Sequence, residues 1–300
     1  MKRKRTFLLI LTVFLMAAAI AFAAYPAISN YVDTKYQSTV RTDYVKQIHE
    51  SDKSSLQKLW NAANAYNDAA ALRPMQYDQD SIAAASVHYD NLLNPFGSGI
   101  MGYVEVPKLE INLPINHGTS ESALQDGIGH LLGSSLPVGG KGTHTVLTGH
   151  SGVAGKKLFS DLDQLAVGDV FYLKILGKTL AYQVTEINTV LPYETELLRA
   201  VPGEDLCTLV TCTPFGVNSH RLLVRGSRIP YHGDPDPEIQ VDPENQESGK
   251  PVVNSTWQDQ YFLGLMIFGG ITGAAILSFI AVLFLRHRKR RKEADRVEDA

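Results

Sequence analysis

Two long uncharged segments, one near each end of the 300-residue chain, constrain its organisation more than any other feature. The first covers residues 6–24 and follows four basic residues. The second covers residues 261–285, and a basic segment at 286–292 follows it. A helix needs roughly 20 apolar residues to cross the hydrocarbon of a bilayer, so each segment is long enough to span a membrane. The chain is therefore expected to have a membrane helix at each end and a water-exposed part between them.

The N-terminal segment has two interpretations. It is either a membrane anchor or a cleaved signal peptide, because Ala21, Phe22 and Ala23 offer a small-x-small cleavage site. Its uncharged run exceeds the roughly 7 to 15 residues of a signal-peptide core, which favours the anchor. Basic residues gather on the cytoplasmic side of membrane spans. The predicted topology therefore has both termini in the cytoplasm and residues 25–260 outside the cell membrane.

Charge and composition exclude several functional classes. The whole chain has a net charge of -3, but 17 basic and 27 acidic side chains remain when residues 1–24 and 286–300 are set aside. A part with a net charge near -10 lacks the basic clusters that bind nucleic acid, so no nucleic-acid partner is expected. Two cysteines cannot form an all-cysteine zinc site, and no metal or cofactor is predicted.

The part between the membrane segments changes character along its length. Residues 30–71 contain no Gly or Pro and space their apolar side chains as helices do, which predicts one or two helices. A short helix is predicted from Ser81 to Leu93. Strand patterns begin at residue 100 and end near 231, and a Pro-rich acidic segment that reads as an extended tether follows them. The predicted divisions are 1–24, 25–99, 100–231, 232–260, 261–285 and 286–300.

Short segments rich in β-branched and aromatic residues predict seven strands. Many short strands in about 130 residues are typical of a closed β-barrel or a sandwich. One pair predicts a hairpin that turns near Gly177 and Lys178. The predicted strands are Met101–Val106, Lys108–Ile115, Thr143–Thr148, Val170–Leu176, Thr179–Val190, Leu206–Cys212 and Arg221–Ile229.

The two cysteines, Cys207 and Cys212, lie on one predicted strand. An extended strand separates them by about 16 Å, which is too far for a disulfide, and directs them to opposite faces. Cys207 has apolar neighbours on both sides, whereas Cys212 ends the strand just before a loop, where a side chain can meet a substrate. Cys212 is therefore the candidate nucleophile. The alternative is that both thiols are small buried hydrophobes.

A nucleophilic thiol needs a cationic or basic neighbour. If the last two predicted strands pair antiparallel, Arg221 arrives beside Cys212, where its guanidinium can stabilise an oxyanion but cannot act as a base. The alternative for Arg221 is a surface residue at a strand start. Among the histidines of the strand region, only His150 ends a strand and precedes a loop of small residues. Spacing alone does not separate a catalytic His150 from a structural one.

Taken together, these segments resemble the sortase family. The strand Thr208–Cys212 matches its Thr-Leu-x-Thr-Cys signature, Leu147–His150 matches its histidine segment, and Arg221 matches its arginine. The similarity extends from about Met101 to Ile229 and is closest to class C, the pilus-building subgroup. The segments that resemble class C in detail are Gly102–Pro107, Gly129–Leu131, Ser134–Gly140 and Leu222–Gly226.

The resemblance implies an all-β fold, a closed eight-stranded sortase barrel with a helical preface. It also implies a cysteine transpeptidase in which Cys212 attacks the Thr carbonyl of an LPxTG-like motif in a pilin, His150 transfers protons and Arg221 holds the oxyanion. A Lys of the next pilin would then accept the acyl group. Leu209 and Thr211 are expected to contact the substrate. The alternatives are a sortase that anchors proteins to peptidoglycan, a thiol protease, and a membrane-tethered adhesin or assembly chaperone without catalytic activity.

One feature departs from the class C pattern. Pilus sortases usually cover the cysteine with a lid that carries Asp-Pro and an aromatic residue ahead of the first strand. Here the Asp-Pro pairs follow the barrel, and Arg73, Pro74 and Met75 stand at the expected place. These three residues are the candidate lid, with Met75 as an apolar plug. The alternative is a plain linker between the helices and the barrel.

Overall fold

The computed structural model describes residues 2–71, 89–125, 127–151, 153, 156–231 and 233. The candidate lid residues Arg73, Pro74 and Met75 therefore lie outside the described residues. Most of the short helix predicted from Ser81, nearly all of the predicted tether and the predicted second membrane segment also lie outside them. The described residues belong to one compact unit, Met1–Val252.

Two helices precede the barrel. Helix α1 covers Lys2–Glu50 and helix α2 covers Lys53–Ala71. The break between them is fixed by Asp52, whose Oδ2 accepts a hydrogen bond of 3.0 Å from the backbone N–H of Ser55, an N-cap for α2. One or two helices were predicted over residues 30–71; the structure has two there, and α1 begins far ahead of residue 30. Among the described helices, none combines the length and the apolar content that crossing a membrane requires.

The chain after residue 99 forms eight strands and a short helix α3, Glu121–Gln125. Seven strands were predicted, and the eighth, β3, is only three residues long, too short for alternation to reveal it. The strand predicted to start at Lys108 starts at Ile111, because Pro107–Leu109 form a 3-10 turn. The strands are β1 Ile100–Val106, β2 Ile111–His117, β3 Ile128–His130, β4 Thr143–Thr148, β5 Val170–Ile175, β6 Lys178–Val190, β7 Asp205–Thr213 and β8 His220–Ile229.

These strands close into a barrel in the order β1-β2-β3-β4-β7-β8-β6-β5. Six of the eight neighbouring pairs are antiparallel, whereas β2–β3 and β4–β7 are parallel. The closed eight-stranded barrel is thus confirmed, and the sandwich alternative is excluded. Each of the eight described strands therefore has a neighbour on both sides.

The interior of the barrel is filled by apolar side chains. Buried and half-buried positions alternate along β5, whereas consecutive residues are buried along β4 and β7. Phe171 and Tyr182 stack at 5.6 Å between ring centroids, and both are fully buried. Cys207 is also fully buried, as its apolar neighbours predict.

The C-terminal half of α1 packs against the barrel. The Tyr44 hydroxyl donates a 2.9 Å hydrogen bond to the Met101 carbonyl, and the Tyr103 hydroxyl donates one of 3.0 Å to the Arg41 carbonyl. Tyr44 and Ile48 are both buried in the contact. These contacts fix the direction of α1 relative to the strands.

Candidate active site

Strand β7 carries the candidate nucleophile between two different neighbours. It pairs in parallel with β4 on one side and antiparallel with β8 on the other. Cys212 is the next-to-last residue of β7 and is partly exposed, whereas the residues before it are buried. The thiol therefore lies where the core ends and solvent begins, which leaves a substrate room to reach it.

The parallel pairing with β4 places His150 level with Cys212. The last registered pair is Thr148 with Val210, and the alignment continues past it, because the Gly149 N–H donates a 3.0 Å hydrogen bond to the Val210 carbonyl. The Ser151 hydroxyl then donates a 2.7 Å hydrogen bond to the Cys212 carbonyl. His150 lies between these two links, so its backbone runs beside Cys212.

The backbone just before His150 is held beside β7 by close packing and hydrogen bonds at Gly149. A Cβ on Gly149 would lie 2.8 Å from a ring carbon of Phe159 and 2.9 Å from a methyl carbon of Ile128, so only glycine fits without displacing them. The Thr211 hydroxyl donates a 2.8 Å hydrogen bond to the Gly149 carbonyl. On the other side of the histidine, the Phe159 N–H donates a 3.1 Å hydrogen bond to the His150 carbonyl.

The antiparallel pairing with β8 places Arg221 directly opposite Cys212, as the sequence predicts. Arg221 Nη1 donates hydrogen bonds of 3.1 Å to the Asn218 carbonyl and 3.0 Å to the His220 carbonyl. Among the described residues, no hydrogen bond occupies Nε or Nη2. These N–H groups remain available to an oxyanion beside Cys212.

The backbone therefore brings the three predicted residues together: Cys212 and Arg221 are paired on β7 and β8, and His150 lies in the segment that follows β4, beside Cys212. A thiol, an imidazole and a guanidinium are the groups that acyl transfer needs for a nucleophile, an acid or base, and an oxyanion stabiliser. Cys207 is unsuited to this chemistry, since burial raises the pKa of its thiol well above the usual range and Asp205 adds to the effect. Both cysteines are free, in agreement with the prediction.

Two of the other histidines, His130 and His144, are buried and hydrogen-bonded inside the protein. His130 is fully buried. Its Nε2 donates a 2.9 Å hydrogen bond to the Ser135 carbonyl, so Nδ1 of the neutral ring accepts one of 2.8 Å from the Tyr89 hydroxyl. His144 bonds the Arg199 carbonyl and the Thr208 hydroxyl. Burial lowers the pKa of each ring to about 4, so both are neutral structural histidines at neutral pH.

The two residues expected to contact substrate lie in the interior. Leu209 is fully buried in the barrel core, and Thr211 is 4% exposed. Neither side chain lines an open surface in this structure. The hydroxyl of Thr211 instead holds the backbone that precedes His150.

Sequence reasoning missed two groups that support the site. Ser151 ties the segment after His150 to the Cys212 carbonyl, and Phe159 packs where a side chain on Gly149 would lie. A hydroxyl residue directly after the candidate histidine was a visible signal for the first. The second depends on a contact across the fold that no local pattern shows.

Known proteins resemble the barrel region of this chain. Residues 104–229 match the model of the sortase domain family. Among curated proteins, the chain is 31% identical over 170 residues to sortase A of Streptococcus agalactiae serotype III. That alignment covers 56% of this chain and 65% of the relative, so the chain spans just under two thirds of the relative's length.

Solved structures give higher identities. Sortase C1 from Streptococcus agalactiae is 45% identical with a TM-score of 0.61, and the match covers 64% of this chain and 99% of that one. Sortase C from Streptococcus pneumoniae, a structure described as informing catalysis and pilin substrate specificity, is 44% identical with a TM-score of 0.59. The match covers 64% of this chain and 97% of the pneumococcal chain.

Proposed function

Because this chain belongs to the sortase family of cysteine transpeptidases, we propose that it polymerises pilins through their sorting motifs. The observation that carries the proposal is the position of Cys212, with Arg221 opposite it on β8 and His150 beside it in the segment that follows β4. The choice of pilins is supported by the similarity to class C structures, one of which is described in terms of pilin substrates.

In the first half of the proposed reaction, the Cys212 thiolate attacks the Thr carbonyl carbon of an LPxTG-like motif. The carbonyl oxygen takes the negative charge, and the N–H groups of Arg221 stabilise it. When the C–N bond breaks, its electron pair goes to the leaving amine, and the His150 imidazolium supplies the proton. The products are a thioester on Cys212 and the released C-terminal fragment.

In the second half, a Lys amine of another pilin attacks the thioester carbonyl. His150, now neutral, takes a proton from the attacking nitrogen, and Arg221 again holds the oxyanion. The C–S bond breaks, its electron pair returns to sulfur, and the thiolate–imidazolium pair is restored. The new bond is an amide between the Thr carbonyl and the Lys side chain, so no cofactor takes part in the proposed cycle.

The proposal is tested with the full-length chain and a pilin that carries both the motif and its acceptor Lys. We expect a ladder of products that survives boiling in detergent. Cys212→Ala should abolish the ladder, whereas Cys207→Ala, a matched control that removes the buried thiol, should retain it. A folded wild-type chain that forms no ladder would contradict pilin polymerisation. Mass spectrometry of the linkage separates the alternatives: a peptidoglycan amine indicates wall anchoring, and hydrolysis alone indicates a protease.

We further propose that the barrel is held outside the cell membrane by the uncharged segments 6–24 and 261–285. The support is the sequence itself. The basic residues that flank each segment lie on the side nearer the chain terminus, and basic flanks of membrane spans face the cytoplasm. This location would place the site where exported pilins leave the membrane. Intact protoplasts should then build the ladder from pilin added outside, whereas a barrel facing the cytoplasm would act only after the cells are opened.

A further inference from the structure

Lys156 connects the segment after the candidate catalytic histidine to two helices. Its Nζ lies 3.2 Å from Asp33 Oδ1 on α1 and donates a 2.6 Å hydrogen bond to the Gln125 carbonyl at the end of α3. The two charged side chains are only 22% and 12% exposed. Partial burial weakens the solvent screening that makes most surface ion pairs ineffective, so this contact can hold the segment in place.

The residues between His150 and Lys156 leave few other side chains to do so. Three of them, Gly152, Ala154 and Gly155, have at most one side-chain carbon. Val153 packs against the core, and its carbonyl accepts a 3.1 Å hydrogen bond from the Lys156 N–H. On the side opposite Ser151 the segment has two charged fixed points, Lys156 and Lys157. Lys157 bonds the Leu109 carbonyl and lies 3.5 Å from Asp161, whereas Lys156 reaches α1.

Asp33 is itself held in a defined place, because α1 is rigidly seated on the barrel. The helix is bonded to the barrel at the Arg41 carbonyl and at the Tyr44 hydroxyl. Eight residues of continuous helix, about 12 Å at 1.5 Å per residue, separate Asp33 from Arg41. Because so short a helical segment separates Asp33 from the part of α1 bonded to the barrel, the Asp33 carboxylate stays close to Lys156.

We infer that Asp33 and Lys156 are positioning residues, which set the His150 segment against Cys212. This inference rests on the proposed transpeptidation, because it assigns the pair to the histidine of that reaction. It also gives α1 a role beyond attachment, since a residue of the helix then controls the geometry of the site. Acyl transfer tolerates little displacement of a proton-transfer group, so loosening this contact should slow the chemical step.

The test compares four variants of the full-length chain: Asp33→Asn, Lys156→Met, the double variant, and Lys156→Arg. Acyl transfer from a sorting-motif peptide to hydroxylamine gives kcat and KM. We expect each of the first two variants to lose about tenfold in kcat with KM unchanged. The double variant should be no worse than Lys156→Met, because the two residues act through one contact. Lys156→Arg keeps the charge and the donor and should restore most of kcat.

Asp43→Asn and Lys141→Met are matched controls. Asp43 is exposed on the same helix and Lys141 is an exposed lysine of the barrel. Each control changes the net charge as the test variants do, so both should keep the wild-type kcat.

Alkylation of Cys212 by iodoacetamide gives a second readout that needs no substrate. The buried Cys207 should not react, so the rate reports on Cys212 alone. If the pair positions His150, the alkylation rate at neutral pH should fall several-fold in Asp33→Asn and Lys156→Met, since a displaced imidazolium stabilises the thiolate less.

Wild-type kcat and alkylation rate in both single variants would overturn the inference. So would a loss of kcat that parallels a lower melting temperature and that Lys156→Arg does not restore, because that result indicates a purely structural contact. If the wild-type chain transfers no acyl group while alkylation still responds to the variants, the proposed function fails and the positioning role stands.

Discussion

Two thiols five residues apart on β7 have opposite environments. Cys207 is enclosed in the barrel, where the loss of hydration raises the pKa of its thiol, and it cannot supply a thiolate. Cys212 lies at the rim beside Arg221. The sequence next to each cysteine was enough to predict which thiol is buried and which one is the candidate nucleophile. The histidine was different, because the local pattern made His150 the candidate among nine histidines but did not separate a catalytic role from a structural one. The resemblance selected His150, and the structure places it beside Cys212.

Thr211 gives a prediction at the scale of one side chain. Thr211→Val keeps the shape and removes the hydroxyl that bonds the Gly149 carbonyl. Losing a buried hydrogen bond costs about 1–3 kcal/mol of unfolding free energy. If this bond positions His150, kcat should also fall several-fold with KM unchanged, and Thr211→Ser should restore it. Steady-state kinetics and chemical denaturation measure both effects.

The control for this prediction is Thr143→Val, at the start of β4. Thr143 donates a similar hydrogen bond of 2.7 Å to the Gly140 carbonyl, and it lies at the opposite end of the strand from His150. This variant should lose comparable stability and keep its kcat. A higher KM in Thr211→Val with an unchanged kcat would instead indicate the substrate contact expected from the sequence.

At the scale of elements, the predictable part of the site was the antiparallel pair β7–β8. A short loop joins these strands, so their pairing follows from local sequence, and Arg221 lies opposite Cys212. The parallel pair β4–β7 was not predictable in the same way, because about 60 residues of chain separate its strands. That non-local pair is what brings His150 level with the thiol. Strand β3 escaped prediction because three residues show no alternation.

The β5–β6 hairpin gives a prediction about an element. Its turn is Leu176–Gly177, one residue earlier than predicted, because Ile175 pairs with Lys178 and both turn residues have positive φ, 48° and 78°. A Cβ on Gly177 would lie 3.3 Å from Ile48 of α1. Gly177→Ala should therefore lower the unfolding free energy by about 1–2 kcal/mol. It should leave kcat unchanged, because the turn lies at the opposite end of β6 from the residue that pairs with Arg221.

Chemical denaturation and steady-state kinetics test this prediction together. Gly203→Ala is the control, since Gly203 also has positive φ, 84°, but has open space around its Cα. The difference between the two variants measures the contact with Ile48. A loss of kcat in Gly177→Ala would show that a displacement at this turn is transmitted to the site, contrary to expectation.

For the whole molecule, composition separated an acidic middle part from basic ends, and the strand pattern predicted a barrel or a sandwich after one or two helices. The resemblance to sortases chose the barrel. Local periodicity could not show that α1 is one helix from Lys2 to Glu50. Nor could it show that α1 docks on the barrel, because the contacts of Tyr44 and Asp33 join residues far apart in sequence. The docking is what links the N-terminal segment to the candidate site.

The stability of the whole fold should depend on pH through its two buried histidines. The pKa values of His130 and His144 are about 4 in the folded chain, mainly because burial disfavours the charged ring. An unfolded histidine has a pKa near 6.5, so between roughly pH 6.5 and 4 the unfolded chain binds more protons than the folded one. The stabilisation is complete above the unfolded pKa and is lost as pH falls towards 4. Each histidine accounts for about 3 kcal/mol at most.

Denaturant unfolding of the full-length chain at pH 7 and pH 5 measures this effect, and His144→Gln tests its source. The variant should be less stable than wild type at pH 7, because the ring bonds to the Arg199 carbonyl and the Thr208 hydroxyl are disrupted. Its stability should nevertheless fall less between pH 7 and pH 5, since one group that takes up a proton on unfolding is gone. His49→Gln, on the exposed surface of α1, should keep the wild-type slope. An equal slope in wild type and His144→Gln would mean that carboxylates, rather than buried imidazoles, cause the loss of stability in acid.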